Sequence, residues 1–507
     1  MPLLRPRPGD SDGGYSVMDY RAVNPALGTM DDLEAVAAAC RARGMSVCVD
    51  LVLNHTAREH EWAERARAGE ARHRDYYLTF PDRTEPDAYE ETLLEVFPEQ
   101  APGNFTWDPV MERWVWTTFN AHQWDLNWAN PWVFLEMAEV MLFLANRGVD
   151  VLRFDAVAFM WKRMGTRCQS EPEVHAILHA LRAVTRVVAA GVIHLEEAIV
   201  GPAEMLPYLG RGAHDGKEGN LAYHNSLMVQ YWSALATRDA GLMTHVLGTH
   251  FPPVLTNATY ATYLRCHDDI GWAVTDEDAA AVGLSGPDHR AFLSDFYEGL
   301  FPGSFARGAR FGWNPETGDR RVSGALASLA GVEQGDEHAV DRILMGHALI
   351  ASYGGIPLVY MGDEVALTND YGYADDPGRA GDSRWLHRPA MDWDRVLAAR
   401  ADPGSVPGRV LSGLRHILER RAATPELHGQ YPTEVVDAGA AQIFAVARRA
   451  PWGTVLCLFN VAETWTGVPA DWARAQGVAR MRDVLSGGDV GADGWIGLPP
   501  YARVWVV

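Results

Sequence analysis

The sequence predicts an α/β fold in which helices alternate with parallel strands. Three apolar runs of strand type carry this prediction, because each ends in charged residues: Arg153 and Asp155, then Glu196 and Glu197, then His267, Asp268 and Asp269. Strands that are buried on both faces read as continuous apolar runs. In parallel barrels the C-terminal ends of such strands face solvent and carry the functional side chains. Carboxylates at three strand ends indicate chemistry on glycosidic bonds.

The first helix and strand have clear local signals. Thr29 and Asp32 form a candidate capping box for a helix that is closed by Gly44. Residues 46–53 follow as an apolar run, which predicts a buried strand ending at Asn54 and His55. This helix-then-strand order is the pattern of a parallel α/β sheet.

The alternation continues along the chain. Asn130 as cap and Pro131 in the first turn predict a helix that ends at Gly148, directly before the Arg153 strand. Further elements are predicted in this order: a helix over 171–190, the Glu197 strand, a weaker strand over 221–225, the His267 strand and a buried strand over 355–364. Residues 442–447, 455–459 and 503–507 predict strands of a separate all-β module.

Composition excludes several classes of partner. The 507 residues are 48% hydrophobic and 22% charged, and the net charge of −22 argues against binding nucleic acid. The five cysteines form no Cys-x-x-Cys pair, so neither a disulfide framework nor a structural zinc site is predicted. With no apolar run of membrane-spanning length and no signal-peptide pattern, we expect a cytoplasmic protein that acts on a neutral or small substrate. The sequence does not indicate the oligomeric state.

Asp155 is the candidate nucleophile. A retaining glycosidase uses one ionised carboxylate at about 5–5.5 Å from a second carboxyl group that stays protonated. Arg153 lies two residues before Asp155, so both side chains leave the strand on one face. We expect the arginine to lower the pKa of Asp155 and keep it charged. The alternative is a buried structural ion pair.

Two other strand ends supply the remaining candidates. Glu197 is the candidate general acid and base, with Glu196 as its rival on the opposite face of the strand. Asp268 is the candidate that binds sugar hydroxyls more tightly in the transition state, with His267 adding a hydroxyl contact. A lone His-Asp pair is often structural, and its coincidence with the other two strand ends favours function.

The motifs in this order resemble the α-amylase superfamily (glycoside hydrolase family 13), and within it the amylosucrase branch. The residues that carry the resemblance are His55, Arg153-Phe-Asp155, Glu197, His267-Asp268, Asp12-Gly-Gly-Tyr15, Val115-Trp-Thr-Thr-Phe-Asn120, Gln123-Trp-Asp-Leu-Asn127, Gly303-Ser-Phe-Ala-Arg-Gly308 and Asp382-Ser-Arg-Trp385. They span nearly the whole chain.

The resemblance implies a (β/α)8 TIM barrel with inserted and appended domains. The implied organisation is a partial barrel over 1–56, a B insertion over 57–128, barrel over 129–269, a B′ insertion over 270–335, the end of the barrel over 336–425 and a C-terminal β-sandwich over 426–507. About six of the eight barrel strands are recognisable. The family has an N-terminal helical domain and further barrel elements before the segment that matches Met1 onward. We therefore expect the chain as written to be unstable or inactive, and the full gene product to be active.

The resemblance also implies an activity: transfer of glucose from sucrose to the 4-OH end of an α-1,4-glucan, with release of fructose and without a cofactor. It assigns Asp155 as nucleophile, Glu197 as acid/base and Asp268 as transition-state stabiliser. Sugar contacts are implied for Arg153, His55, His267, Tyr15, Phe119, Asp269, Arg290 and Arg321. Asp12 and Arg384 would form an ion pair that closes the pocket floor.

One departure concerns the products. A family arginine that narrows the acceptor channel corresponds to Leu94 here, which leaves open the balance between polymer formation and hydrolysis. A sucrose hydrolase on the same scaffold is the nearest alternative, and an α-glucosidase or α-amylase is more distant. A catalytically inert binding protein that keeps the barrel is the alternative from another class.

Overall fold

The computed structural model describes residues 2–99, 101–315 and 317–507. The chain forms two compact units: the first runs to Val200 and resumes over Glu204–Tyr223, and the second comprises Gly201–Ala203 and His224–Val507. Three positions inside the predicted domain ranges, Met1, Gln100 and Glu316, lie outside the described residues. The six predicted domain boundaries stay predictions.

The first unit contains a parallel sheet. Its strands lie in the spatial order Cys48–Val52, Val151–Asp155, Ile193–Glu196 and Leu221–Tyr223. Helices Met30–Arg41, Pro131–Asn146 and Pro172–Val188 precede the first three of these strands in the chain. The predicted alternation of helices and parallel strands is therefore confirmed in this unit.

The helix starts follow the local sequence signals. Thr29 and Asp32 form the reciprocal capping box, and the Asn130 side chain accepts a hydrogen bond from the Trp132 N–H with Pro131 in the first turn. Glu171 precedes the helix that was predicted to include it, and that helix begins at Pro172. The first two starts agree with prediction because capping depends on residues within one turn, and the third differs by one residue.

The insertion after His55 forms small antiparallel sheets. His55–Ala57 pairs with Gln123–Asp125, and Arg113–Trp116 lies between Thr79–Phe80 and Phe105–Asp108. Its helices are Glu61–Arg67, Ala71–Arg74 and Thr84–Glu90. Leu4–Pro6 and Val17–Val23 also pair antiparallel, on either side of Asp12.

The second unit contains a parallel pair, Thr259–Thr262 with Ile356–Pro357. The strand predicted over 355–364 is thus far shorter than expected: the Leu358 N–H still donates to the Thr262 carbonyl at 2.8 Å, and Gly362 turns the chain with φ of 100°. Antiparallel strands Ala309–Phe311 and Arg321–Ser323 lie in the region of the predicted B′ insertion. The helices are Asn225–Thr237, Gly241–His250, Asp276–Ala281, Gly286–Tyr297, Leu326–Leu329, Ala339–Ser352, Trp393–Ala401 and Val406–Ala422.

The C-terminal segment is mainly antiparallel sheet, as its three apolar runs predicted. Strands Thr433–Val435, Ile443–Ala450, Gly453–Asn460 and Arg503–Val506 lie side by side in that order. A ribbon of Thr466–Pro469 and Trp495–Leu498 and a helix, Ala470–Ala475, complete it. Both pack on one apolar cluster that includes Leu456, Leu458 and Val468.

Short helical turns connect these elements. They lie at Asp12–Gly14, Val157–Phe159, Pro202–Met205, Leu206–Leu209, Gly212–His214, Val332–Gln334, Asp363–Val365, Tyr371–Asp375, Ser383–His387 and Pro425–Leu427. Among the described residues, no helix combines the length and the apolar character that crossing a membrane requires.

A buried histidine makes a testable contribution to acid sensitivity. His347, on helix Ala339–Ser352, is buried with neither ring nitrogen hydrogen-bonded among the described residues, and burial lowers its pKa from 6.5 to about 4. Between these two values the unfolded chain binds a proton that the folded chain does not, so stability falls as pH falls. We expect His347→Leu to flatten the decline of Tm from pH 7 to pH 4. His214→Leu, at an exposed position, is the control; equal profiles for both variants would contradict the assignment.

Candidate active site

Two of the candidate catalytic carboxylates lie at neighbouring strand ends in the first unit. Asp155 is the last residue of its strand, and Glu197 directly follows Ile193–Glu196. These two strands are parallel neighbours, and the Glu197 N–H donates to the Phe154 carbonyl at 2.9 Å. The sheet therefore holds both residues at its C-terminal edge.

Arg153 connects Asp155 to an acidic residue that sequence reasoning missed. The Arg153 Nη1 atom lies 2.6 Å from Asp155 Oδ1 and 2.7 Å from Asp50 Oδ1. Asp50 stands opposite Arg153 in the register of the neighbouring strand. The available signal was a single aspartate inside the apolar run 46–53. One buried guanidinium is thus shared by two carboxyl groups, and its single charge can balance only one of them when ionised.

Burial dominates the electrostatics of Asp155. Asp155 is 8% exposed and Arg153 is 6% exposed. Removal from water raises the pKa of Asp155 well above 3.8; Arg153 opposes that rise, and the Glu197 carboxylate adds to it. Arg153 lowers this pKa as expected, but desolvation outweighs it, because the sequence shows the neighbouring cation and not the cost of burial.

Glu196 and Glu197 occupy different surroundings, as strand alternation predicted. The Ala156 N–H donates to Glu197 Oε2 at 2.8 Å, and Ala156 has the left-handed φ of 56° that directs its amide there. Glu196 is 0% exposed, and burial raises its pKa well above 4.5, with Glu218 contributing. A substrate in solvent cannot reach Glu196 without rearrangement of the interior.

Tyr15 contacts Asp50 and Arg153, His55 lies next to Tyr15, and Phe119 lies next to His55 in the same unit. The Tyr15 hydroxyl donates to Asp50 Oδ1 at 3.3 Å, and Arg153 Cζ lies 5.6 Å from the Tyr15 ring centre. Burial lowers the pKa of His55 to about 4, so its ring is neutral near pH 7. His55 Nε2 then donates to the Tyr15 carbonyl at 3.3 Å, and the His55 ring lies 5.3 Å from that of Phe119.

A buried hydrogen-bond network holds the segments that carry His55 and Phe119. Asp125 Oδ2 accepts hydrogen bonds from Thr118 Oγ1 at 2.6 Å, Asn54 Nδ2 at 3.0 Å and Lys162 Nζ at 2.6 Å. Thr118 and Asn54 are the sequence neighbours of Phe119 and His55. The network was not predicted, because its members are far apart in the chain. Nearby, Asn120 Nδ2 donates to Asp12 Oδ2 at 3.4 Å.

His267 and Asp268 lie together in the second unit, with arginines around the carboxylate. His267 Nε2 is 3.3 Å from Asp268 Oδ2, while Arg388 Nη2 and Arg384 Nη1 lie 3.4 and 3.6 Å from Oδ1. Arg265 Nη2 donates to the Asp268 carbonyl at 2.8 Å. Arg388 and Arg265 were not predicted, although Arg388 closely follows the Asp382-Ser-Arg384-Trp385 motif.

The remaining predicted binding residues of this unit form ion pairs. Arg321 Nη1 lies 3.5 Å from Asp269 Oδ2. Arg290 contacts Asp276 at 2.8 Å and Asp319 at 3.2 Å.

Arg384 Nη2 also lies 2.7 Å from Asp382 Oδ2. The predicted Asp12–Arg384 ion pair links residues of different units and stays a prediction, as do the catalytic roles.

Parallel strands with carboxylates at their C-terminal ends are typical of α/β barrel enzymes, and such carboxylate pairs can cleave or transfer glycosyl groups. A family model described as the alpha amylase catalytic domain matches residues 6–271. The chain belongs to this family, glycoside hydrolase family 13, whose enzymes hydrolyse or transfer glucosyl groups. The predicted fold class, an α/β protein with a (β/α)8 barrel and extra domains, is confirmed.

Curated relatives match most of the chain. Glucosylglycerate phosphorylase of Spirochaeta thermophila is 29% identical over 500 residues, which cover 95% of this chain and 78% of that protein. Trehalose synthase of Thermus thermophilus is 32% identical, covering 77% of this chain and 36% of its own length. Trehalose synthase/amylase TreS of Mycolicibacterium smegmatis is 31% identical, covering 78% and 60%. The chain thus spans less than two thirds of either trehalose synthase.

Solved structures share the fold. Sucrose 6F-phosphate phosphorylase from Thermoanaerobacter thermosaccharolyticum has a TM-score of 0.69 at 18% identity, covering 90% of this chain and 87% of its own. Trehalulose synthase MutB from Pseudomonas mesoacidophila has a TM-score of 0.66 at 18% identity, covering 100% and 90%. At such identities the likeness concerns the fold alone.

Proposed function

We propose that this chain is an amylosucrase-type glucosyltransferase that cleaves sucrose, releases fructose and transfers glucose to the 4-OH end of an α-1,4-glucan. The observation that carries the proposal is the pair Asp155 and Glu197 at neighbouring strand ends, with Arg153 at 2.6 Å from the first and the Ala156 amide at 2.8 Å from the second. Two adjacent carboxyl groups in different environments are what a retaining mechanism requires.

The reaction would proceed by double displacement. Asp155 attacks the anomeric carbon of the glucosyl unit while protonated Glu197 gives its proton to the departing fructosyl oxygen. Glu197, now ionised, removes the proton from an acceptor hydroxyl, which displaces Asp155 and restores both carboxyl groups. Because sucrose is itself an activated donor, no cofactor is needed. The positive charge of Arg153 lowers the pKa of Asp155 and so opposes the effect of burial, which favours the attacking carboxylate form.

The other predicted residues would hold the sugars. Tyr15 would stack under the glucosyl ring, and His55, Arg153 and His267 would bind its hydroxyl groups. Asp268 would form stronger hydrogen bonds with those hydroxyl groups in the transition state than in the ground state. Further roles are proposed for Phe119 beside the ring, for Asp12 and Arg384 at the pocket floor, and for Asp269, Arg290 and Arg321 toward fructose or the acceptor.

A second candidate is a phosphorylase. It is favoured by the match to glucosylglycerate phosphorylase along 95% of the chain. The first displacement would be the same, but inorganic phosphate would take the place of the sugar acceptor and glucosylglycerate that of sucrose. A sucrose hydrolase, in which water is the acceptor, remains the nearest alternative on the same scaffold.

The cytoplasmic location stays a prediction from composition.

The nature of the acceptor can be measured directly. We expect incubation of the protein purified from its full gene with sucrose and a short glucan primer to release more fructose than glucose and to form iodine-staining polymer. Addition of inorganic phosphate should leave the amounts of released fructose and of polymer unchanged. Equal release of glucose and fructose would indicate hydrolysis, and phosphate-dependent formation of glucose 1-phosphate from glucosylglycerate would indicate a phosphorylase. If fructose is not released under any condition, the proposal is wrong.

A further inference from the structure

Three consecutive residues of the second unit place metal-binding atoms of three kinds together. Cys266 Sγ, an imidazole nitrogen of His267 and a carboxylate oxygen of Asp268 all lie within 4.8 Å of one another. The segment follows the buried strand Thr259–Thr262. No other such cluster of His, Cys, Asp and Glu occurs among the residues that the structure describes.

The spacing suits a small tetrahedral cation after a modest adjustment. Ligand bonds to zinc of about 2.0–2.3 Å place neighbouring donors roughly 3.4–3.8 Å apart. His267 Nε2 and Asp268 Oδ2 are already 3.3 Å apart. The thiol group therefore needs a shift of about 1.3 Å at most to complete three ligands.

The residue types select the metal. A thiolate with an imidazole is a donor set for zinc and similar borderline or soft ions, whereas Ca²⁺ and Mg²⁺ take oxygen ligands. We propose that Cys266, His267 and Asp268 form a binding site for a thiolate-seeking divalent cation such as Zn²⁺, and that its occupation inhibits the enzyme. Three protein ligands leave one coordination position for water.

Arg388 and Arg384 determine which oxygen of Asp268 can bind the metal ion, and their charges make the Cys266 ligand important for affinity. Arg388 and Arg384 lie against Oδ1, so the ion would take Oδ2, the atom that faces His267. The two guanidinium charges repel a dication, so binding needs a strong ligand in addition to His267 and Asp268. The thiolate therefore supplies the decisive part of the affinity. The Asp268 side chain is 35% exposed, so the ion can enter from water.

Inhibition rests on the proposed function, whereas metal binding does not. A cation on Asp268 Oδ2 occupies a carboxylate that, in the proposed reaction, must bind sugar hydroxyls in the transition state. The same ion holds His267, the proposed hydroxyl contact. Turnover should stop while the fold remains intact.

The test uses Co²⁺ as a spectroscopic probe and Zn²⁺ as the inhibitor. We expect Co²⁺ to bind the purified chain at one equivalent with a thiolate-to-metal charge-transfer band, and Zn²⁺ to remove that band. Cys266→Ser should lose the band and weaken Zn²⁺ affinity by roughly tenfold or more. Cys48→Ser, at an exposed cysteine outside the cluster, is the matched control and should keep both properties.

Activity is then compared with and without Zn²⁺ within each variant. Inhibition that a chelator reverses, and that Cys266→Ser removes but Cys48→Ser retains, supports the inhibitory site. Absence of the charge-transfer band in the parent chain, or an equal band in Cys266→Ser, overturns the site itself. Binding without inhibition overturns the inhibitory step. The Co²⁺ titration needs no turnover, so failure of the proposed function leaves it readable.

Discussion

Replacing Asp155 by Asn is expected to lower kcat/KM for sucrose cleavage by about 10⁴-fold or more, because the glucosyl–enzyme bond cannot form on an amide. Asn has nearly the same shape as Asp, and Arg153 keeps its 2.7 Å contact with Asp50. The variant should therefore fold with a Tm close to that of the parent. Fructose release measured at several sucrose concentrations gives the result.

Asp150→Asn provides the matched control on the same segment of chain. Asp150 precedes strand Val151–Asp155 and binds Arg41 at 2.8 Å and the Val47 N–H at 3.0 Å, at the strand end opposite to Asp155. Its replacement should change activity only a few-fold. Asp155→Asn with activity within about tenfold of the parent would remove Asp155 as nucleophile.

Lys162→Met should be among the most destabilising single substitutions. The Lys162 side chain is 4% exposed, and its Nζ lies 2.6 Å from Oδ2 of Asp125, whose side chain is 0% exposed. Removing the cation leaves a buried carboxylate without a countercharge, which costs about 3–5 kcal/mol. For a chain of 507 residues Tm should fall by roughly 1 °C for each kcal/mol. Thermal unfolding followed by circular dichroism measures the change.

A second substitution separates lost charge pairing from lost packing. Asp125→Asn added to Lys162→Met removes the unpaired charge and should recover part of the lost Tm, which defines the coupling between the two residues. Lys217→Met, at a lysine that donates only to the Ala213 carbonyl near the surface, should change stability by no more than about 0.5 kcal/mol. Equal effects at Lys162 and Lys217 would contradict the role of the buried pair.

Several parts of the site were predictable because they depend on neighbouring residues. Strand alternation places Arg153 and Asp155 on one face, and it separates Glu196 from Glu197. The structure shows the Arg153–Asp155 contact at 2.6 Å, and Glu196 in the interior with Glu197 bound by the Ala156 amide.

Other parts depend on residues that are distant in sequence. Asp50 became visible as a partner of Arg153 only through the register of two strands about 100 residues apart, and Lys162 through its contact with Asp125. The prediction of a strand over 355–364 was wrong for a different reason. Its apolar run resembled a buried strand, but Ile356 is exposed and residues 357–360 are only half-buried, with a last hydrogen bond from the Leu358 N–H to the Thr262 carbonyl.

The sequence by itself determined the helix starts, the alternation of elements and the identity of the acidic residues at the strand ends, because these follow from side-chain periodicity and capping within a few residues. Only the tertiary structure decided which distant groups neutralise one another, and that burial outweighs Arg153 in setting the pKa of Asp155. Desolvation and long-range ion pairing depend on what surrounds a group in three dimensions, and no local pattern of residues records those surroundings.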